Sequence, residues 1–170
     1  AAIQGKESEN EFLSREFNDV NVTHLGLEGA VADVLQHRIK EIERCFSGEA
    51  PLAVILLAGS TLEGIFLGLA TNHPRQFNST KSSPKDSDGK VKQFHDWSLS
   101  GFIDVARELG LIQHDTQKFS HSLRDFRNYI HPFEQMSSGF KPREHTAKIC
   151  LQVLKAAIYE ISENIEKIRT

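Results

Sequence analysis

Much of the chemistry-bearing vocabulary of familiar enzymes is missing from this chain. No glycine-rich phosphate loop follows an extended segment, and no HExxH, paired CxxC or GxSxG motif occurs. The eight histidines are scattered, without the carboxylate spacing of a metal site. These absences argue against a metal-dependent hydrolase, so no metal ligands and no cofactor are expected, and metal-independent chemistry is what remains. Cysteine is scarce. Cys45 and Cys150 both fall on apolar stripes of expected helices and read as buried free thiols in a reducing compartment, which implies a cytoplasmic location. An excess of positive charge is lacking too. Twenty Lys and Arg stand against 23 Asp and Glu, a net charge of -3, so this is not a protein that coats nucleic acid. Contact with RNA would have to come from a local patch. No signal peptide opens the sequence, because residues 1–22 are polar and acidic. The abrupt Ala1-Ala2 start suggests a cloned or processed fragment, so that a neighbouring domain, or a regulatory partner, is to be expected besides it.

One long apolar run is present, from Pro51 to Ala70, and its length approaches that of a membrane span. Ser60, Thr61 and Glu63 interrupt it, and a carboxylate in lipid is costly. A central helix covered by its neighbours is expected, and no membrane. Gly59, Gly64 and Gly68 would let another helix approach it closely. Glu63 is the odd residue in this run. It is either a solvated edge position or an acceptor that holds an arginine.

The 170 residues suit one hydrophobic core, and the periodicity is helical throughout. Residues 1–22 are expected to be a tail or linker, with a short helix possible, and residues 23–170 a helical domain. Within it, helices are expected over 24–47, 51–71, 97–109, 115–132 and 143–168. The fold expected is all-α, an antiparallel bundle of four main helices plus a shorter one, because the short 110–115 turn makes its flanking helices neighbours. Residues 72–96 read as a mobile loop with excess positive charge, and residues 133–140 as a flexible loop. In the last helix Glu160, Glu163, Glu166 and Lys167 are expected to face water.

The stretch from Asp115 to Pro132 carries the most pointed signal. Asp115 can cap a helix and Pro132 can stop it. Phe119, Leu123, Phe126 and Ile130 draw one apolar stripe. Arg124, Arg127 and His131 fall at i, i+3 and i+7, within about 60° of one another and opposite that stripe at roughly 100° per residue. Asn128 lies beside them, and His121 one turn earlier. Two adjacent guanidinium groups repel unless an anion sits between them, and a planar guanidinium suits phosphate. An imidazole can take and give a proton near neutral pH. The set suits work on a phosphodiester. The same face would also serve as ordinary solvated surface.

Arg124, six intervening residues and His131 fit the R-x4–6-H motif, and the chain resembles the HEPN superfamily in this respect. Asp125 is the polar residue that often follows the motif arginine. The run Leu-Arg-Asp-Phe-Arg-Asn-Tyr-Ile-His-Pro closely resembles many bacterial HEPN-like domains, and Leu57-Ala58-Gly59-Ser60-Thr61-Leu62-Glu63-Gly64 looks like their second helix. Arg127 is too close to His131 for the motif, which favours Arg124. The resemblance implies a metal-independent endoribonuclease acting on RNA as a homodimer, its two motif helices facing one composite cleft. His131 and Arg124 would be catalytic, and Arg127, Asn128, Glu63 and Asp125 would bind or support. Family context would be phage (antiviral) defence or toxin–antitoxin systems. The alternative implied is a non-catalytic HEPN-like module that binds RNA, a nucleotide or a partner protein.

Overall fold

Helical periodicity runs through most of the sequence, and the computed structural model shows an all-α fold. It describes residues 2–17 and 20–169, with side chains described from residue 8 onward. Among the described residues the α-helices are α1 (Ala2–Ser14), α2 (Gly29–Ser47), α3 (Pro51–Asn72), α4 (Pro74–Asn78), α5 (Leu99–Glu108), α6 (His114–Tyr129), α7 (Pro132–Ser138) and α8 (Glu144–Asn164). No β-strand occurs among them, only an isolated bridge between Lys85 and Val91.

The apolar run becomes α3, which packs against α2, α5, α6 and α8. Pro51 starts it, since a first-turn residue has no intrahelical partner for its N–H. Ile55, Leu62, Ile65, Phe66 and Leu69 are fully buried, and each such side chain contributes about 1.5–3 kcal/mol. By length and hydropathy alone α3 could cross a membrane, and it is the one helix among the described residues that could. Its cover is incomplete, however. Leu52, Leu56 and Leu67 are exposed, and so are Val31 and Val34 of α2. The apolar residues of α2, which begins at Gly29 rather than at residue 24, divide between two faces. Leu35, Ile39 and Ile42 face the core, while the two valines face outward. Gly59 faces α6, and Gly68 sits under Leu27.

The turn between α5 and α6 is tight. Gly110 adopts φ 73°, a left-handed conformation that costs a side chain strain, and the Leu111 N–H returns to the Ala106 carbonyl at 2.9 Å. Buried Leu111 and Ile112 then anchor the chain as it enters α6.

The N-terminal segment docks on the body. Phe12 is 1% exposed and stacks on Phe119 of α6 at 4.5 Å. Gln152 of α8 donates to the carbonyls of Phe12 and Arg15 at 3.0 and 2.8 Å. Arg15 reaches Asp115 at 3.3 Å and Glu160 at 3.0 Å.

Two expectations change at this junction. Glu160 does not face water. It is 4% exposed and accepts from Arg15, from Thr116 Oγ1 at 2.9 Å and from the Gln113 N–H at 2.9 Å. Asp115 does not cap α6. Gln113 holds the cap position, and Asp115 lies in the first turn, bound to Arg15 and to the Thr116 N–H. The carboxylate of a distant helix satisfies the start of α6, where a negative charge is favoured by the helix dipole.

Two presumed loops are also structured. Over residues 72–96, α4 buries Phe77, Phe94 meets Trp97 edge-on at 5.1 Å, and Glu108 accepts the N–H groups of Lys81 and Ser82 at 2.8 and 2.9 Å. Pro132 ends nothing by itself, since α6 has already stopped at Tyr129. It opens α7 within the expected 133–140 loop, because proline is well suited to a first turn. Cys150 is buried as expected, whereas Cys45 is only half-buried, and both thiols are free.

Candidate functional site at the end of helix α6

Helix α6 is built on Thr116, Phe119, Ser120 and Leu123, all buried. Ile130, just past its end, is buried as well. This stripe is broader than the apolar residues alone indicate, because Thr116 and Ser120 extend it toward α3 and α8. The two arginines therefore flank the buried face rather than oppose it. They are half-buried, with side chains 30% exposed for Arg124 and 26% for Arg127.

Arg127 lies over Gly59 of α3. A Cβ at that glycine would stand 2.7 Å from the Arg127 Cδ, so only glycine admits the stem. The guanidinium then donates through Nη1 to Glu63 Oε2 at 2.6 Å. Of the two readings of Glu63, the geometry gives the acceptor, and its partner is Arg127 rather than Arg124. Arg124 is held by its neighbour instead. Its Nε and Nη2 donate to Asp125 Oδ1 at 3.1 and 2.5 Å. That side-on grip leaves Nη1 without a hydrogen-bond partner among the described residues, and so able to donate to an anion.

His131 is not a helical position. Its φ of -60° and ψ of 130° are extended, and it caps α7 through its carbonyl, which accepts the Gln135 N–H at 2.8 Å. Its own N–H reaches back toward the Asn128 carbonyl at 3.4 Å. The side chain is exposed, and its ring lies 6.3 Å from that of Phe133, tilted by 26°. No hydrogen bond engages its ring nitrogens among the described residues, so both are accessible to a ligand. Asn128 is exposed beside it. His121 belongs elsewhere. Its Nε2 shares Asp104 Oδ1 with Gln117, at 2.8 and 2.9 Å.

The structure thus joins Glu63 to Arg127 and Asp125 to Arg124, and leaves His131 and Asn128 toward solvent. Among the described residues no group of three or more His, Cys, Asp or Glu side chains is arranged to hold a metal ion. Sequence reasoning missed the apolar surface that follows His131. Phe133 and Met136 are each 73% exposed, and Tyr129 is exposed beside Phe140. Residues 133–140 read as a flexible loop in the sequence, which gives no sign that a helix displays Phe133 and Met136 side by side.

Set beside known proteins, the chain matches no family model, no curated protein and no solved structure.

Proposed function

We propose that this chain is a metal-independent endoribonuclease of the HEPN type, built on a HEPN-like bundle of four main helices. The observation that carries the reading is that His131 is solvent-facing with no hydrogen bond to its ring nitrogens among the described residues, and that Arg124, seven residues earlier, is held by Asp125 with Nη1 left to donate. His131 would take the proton of a ribose 2′-hydroxyl or give one to the leaving 5′-oxygen. Arg124, fixed by Asp125, would donate through Nη1 to the phosphorus oxygens as negative charge builds on them. Glu63 and Arg127 would set the angle between α3 and α6, and Asn128 would position the phosphate. The products would be a 2′,3′-cyclic phosphate and a 5′-hydroxyl, and DNA would be inert because it has no 2′-hydroxyl.

Two copies would share a composite cleft. The exposed leucines of α3, with Val31 and Val34 beside them, favour self-association, since exposed apolar patches mark interaction surfaces. Burial of this face in a dimer would also suit a cytoplasmic protein free of the membrane. A role in phage defence or as a toxin restrained by a partner accords with such chemistry.

The second reading is a non-catalytic HEPN-like module that binds RNA, a nucleotide or a partner protein. The two intramolecular ion pairs favour it, because each arginine already has a carboxylate. One experiment separates the two. The purified protein is incubated with a mixed RNA pool in EDTA, beside His131→Ala and Arg124→Ala. Cleavage by the parent alone, with both variants folded, is the expected result. Intact RNA in all three samples sinks the nuclease reading.

A further inference from the structure

Beyond His131 the chain builds a surface that the cleavage chemistry does not use. Phe133 and Met136 lie one turn apart on α7, both 73% exposed, and Phe133 sits against the His131 ring. Phe140 is stacked on Phe126 at 5.8 Å with the planes 12° apart, and Tyr129 leans on its ring at 5.8 Å. Phe140 also lines two adjoining depressions of about 440 and 500 Å³. Pro132 and Met136 lie on one side of it, and Arg143 and His145 on the other. Lys141 belongs to both depressions. Lys141 and Arg143 are exposed and make no ion pair among the described residues. The carboxylates around this surface include Glu134, about 100° around α7 from Phe133, Glu144 at the start of α8, Asp125, one turn before Tyr129 and held by Arg124, and Glu9, which pairs with His145 at 2.6 Å.

Exposed rings, here Phe133 and Tyr129, beside cations outside any ion pair, here Lys141 and Arg143, are an arrangement that holds a single strand. Bases stack on the rings whatever their identity, and the cations follow the phosphates. An A-form duplex keeps its bases stacked on one another and offers the rings nothing. We propose that the segment from Tyr129 to Arg143 is a binding platform for single-stranded RNA. A base stacks on Phe133 next to the His131 imidazole, and Lys141 and Arg143 contact the phosphates that continue along the groove past Phe140. The platform rests on the ribonuclease reading only for which base lies beside the scissile phosphate. It deepens that reading by naming the substrate as unpaired RNA.

The test uses a short fluorescent 2′-O-methyl RNA, which cannot undergo attack by its own 2′-oxygen, so that binding is measured apart from cleavage. The same sequence annealed as a duplex is the comparison. Phe133→Ala is expected to weaken single-strand binding by about five- to 150-fold, and Phe133→Trp to retain it. Lys141→Gln with Arg143→Gln is expected to lower the slope of log affinity against log salt by about 1.4. Equal affinity for strand and duplex, no measurable binding, or no effect of Phe133→Ala would overturn the platform. So would a change in sedimentation of Phe133→Ala without a change in RNA affinity, which would make this face a protein contact. Binding lost in Phe133→Ala while natural RNA stays intact with the parent keeps the platform and removes the nuclease. Cleavage that is indifferent to Phe133→Ala does the reverse.

Discussion

Arg127 can reach Glu63 only because position 59 has no side chain. A methyl group there would collide with the Cδ of the arginine, in the middle of its stem rather than at its free end. Gly59→Ala is therefore expected to push α6 from α3 and separate the ion pair, at a cost of about 1–3 kcal/mol by overpacking. Urea unfolding of the variant checks this, and a gain in stability, as alanine gives in an unobstructed helix, would contradict it. Cys150 offers a second test at this scale. Burial pushes its thiol up to about 12, so it should resist alkylation at neutral pH in the native protein and react only on unfolding. Half-buried Cys45 serves as the internal control, and labelling followed by mass spectrometry of peptides distinguishes the two.

The elements that frame the site are tied down by contacts distant in sequence. Phe12 plugs α1 into the gap above Phe119, and Arg15 closes the junction of α6 with α8. Phe12→Ala is expected to cost about 3–5 kcal/mol, as for other buried phenylalanines, and to expose the start of α6 to hydrogen exchange. A protection pattern unchanged at residues 114–120 would show that α1 is dispensable to α6. The segment after α4 is held by Glu108. The hydrogen bond from the Lys81 N–H, followed by that from Ser82, holds its carboxyl below the ordinary value of 4.5. The folded protein therefore binds this proton less readily than the unfolded chain. The stabilisation is complete above the ordinary value and is lost as pH falls through the lower, folded one. Glu108→Gln should accordingly flatten the decline of stability on the acid side of pH 4.5, measured by denaturant unfolding across that range. An unchanged pH profile would mean that these two bonds form equally well in the unfolded chain.

At the scale of the whole molecule, the outer face of α2 and α3 presents apolar side chains to solvent. Leu52, Leu56 and Leu67 are exposed there, and the proposed dimer would remove them from water by hydrophobic contact with a second copy. Sedimentation at micromolar concentration is expected to show a dimer that Leu56→Glu shifts to monomer. A parent protein that is strictly monomeric would argue against a composite cleft.

The positions of the long helices, the turn at Gly110 and the Arg124–His131 spacing are all legible from residue order. Each depends on local periodicity or on one residue's backbone freedom. Partnerships across the fold are not. Glu63 reads only as an anomaly in an apolar run until α6 lies beside it, and Glu160 reads as surface until Arg15, Gln113 and Thr116 converge on it. The same limit hid the exposure of Val31 and Val34, and left Phe133 and Met136, expected in a loop, without the helix that displays them. An apolar side chain marks a helix face in sequence, but whether anything covers that face is a property of neighbours many residues away. The angle of Arg124 and Arg127 to the core belongs with these, because Thr116 and Ser120, which carry no apolar mark in the sequence, are interior. Spacing along the chain determined which groups could meet, and packing determined which of them did.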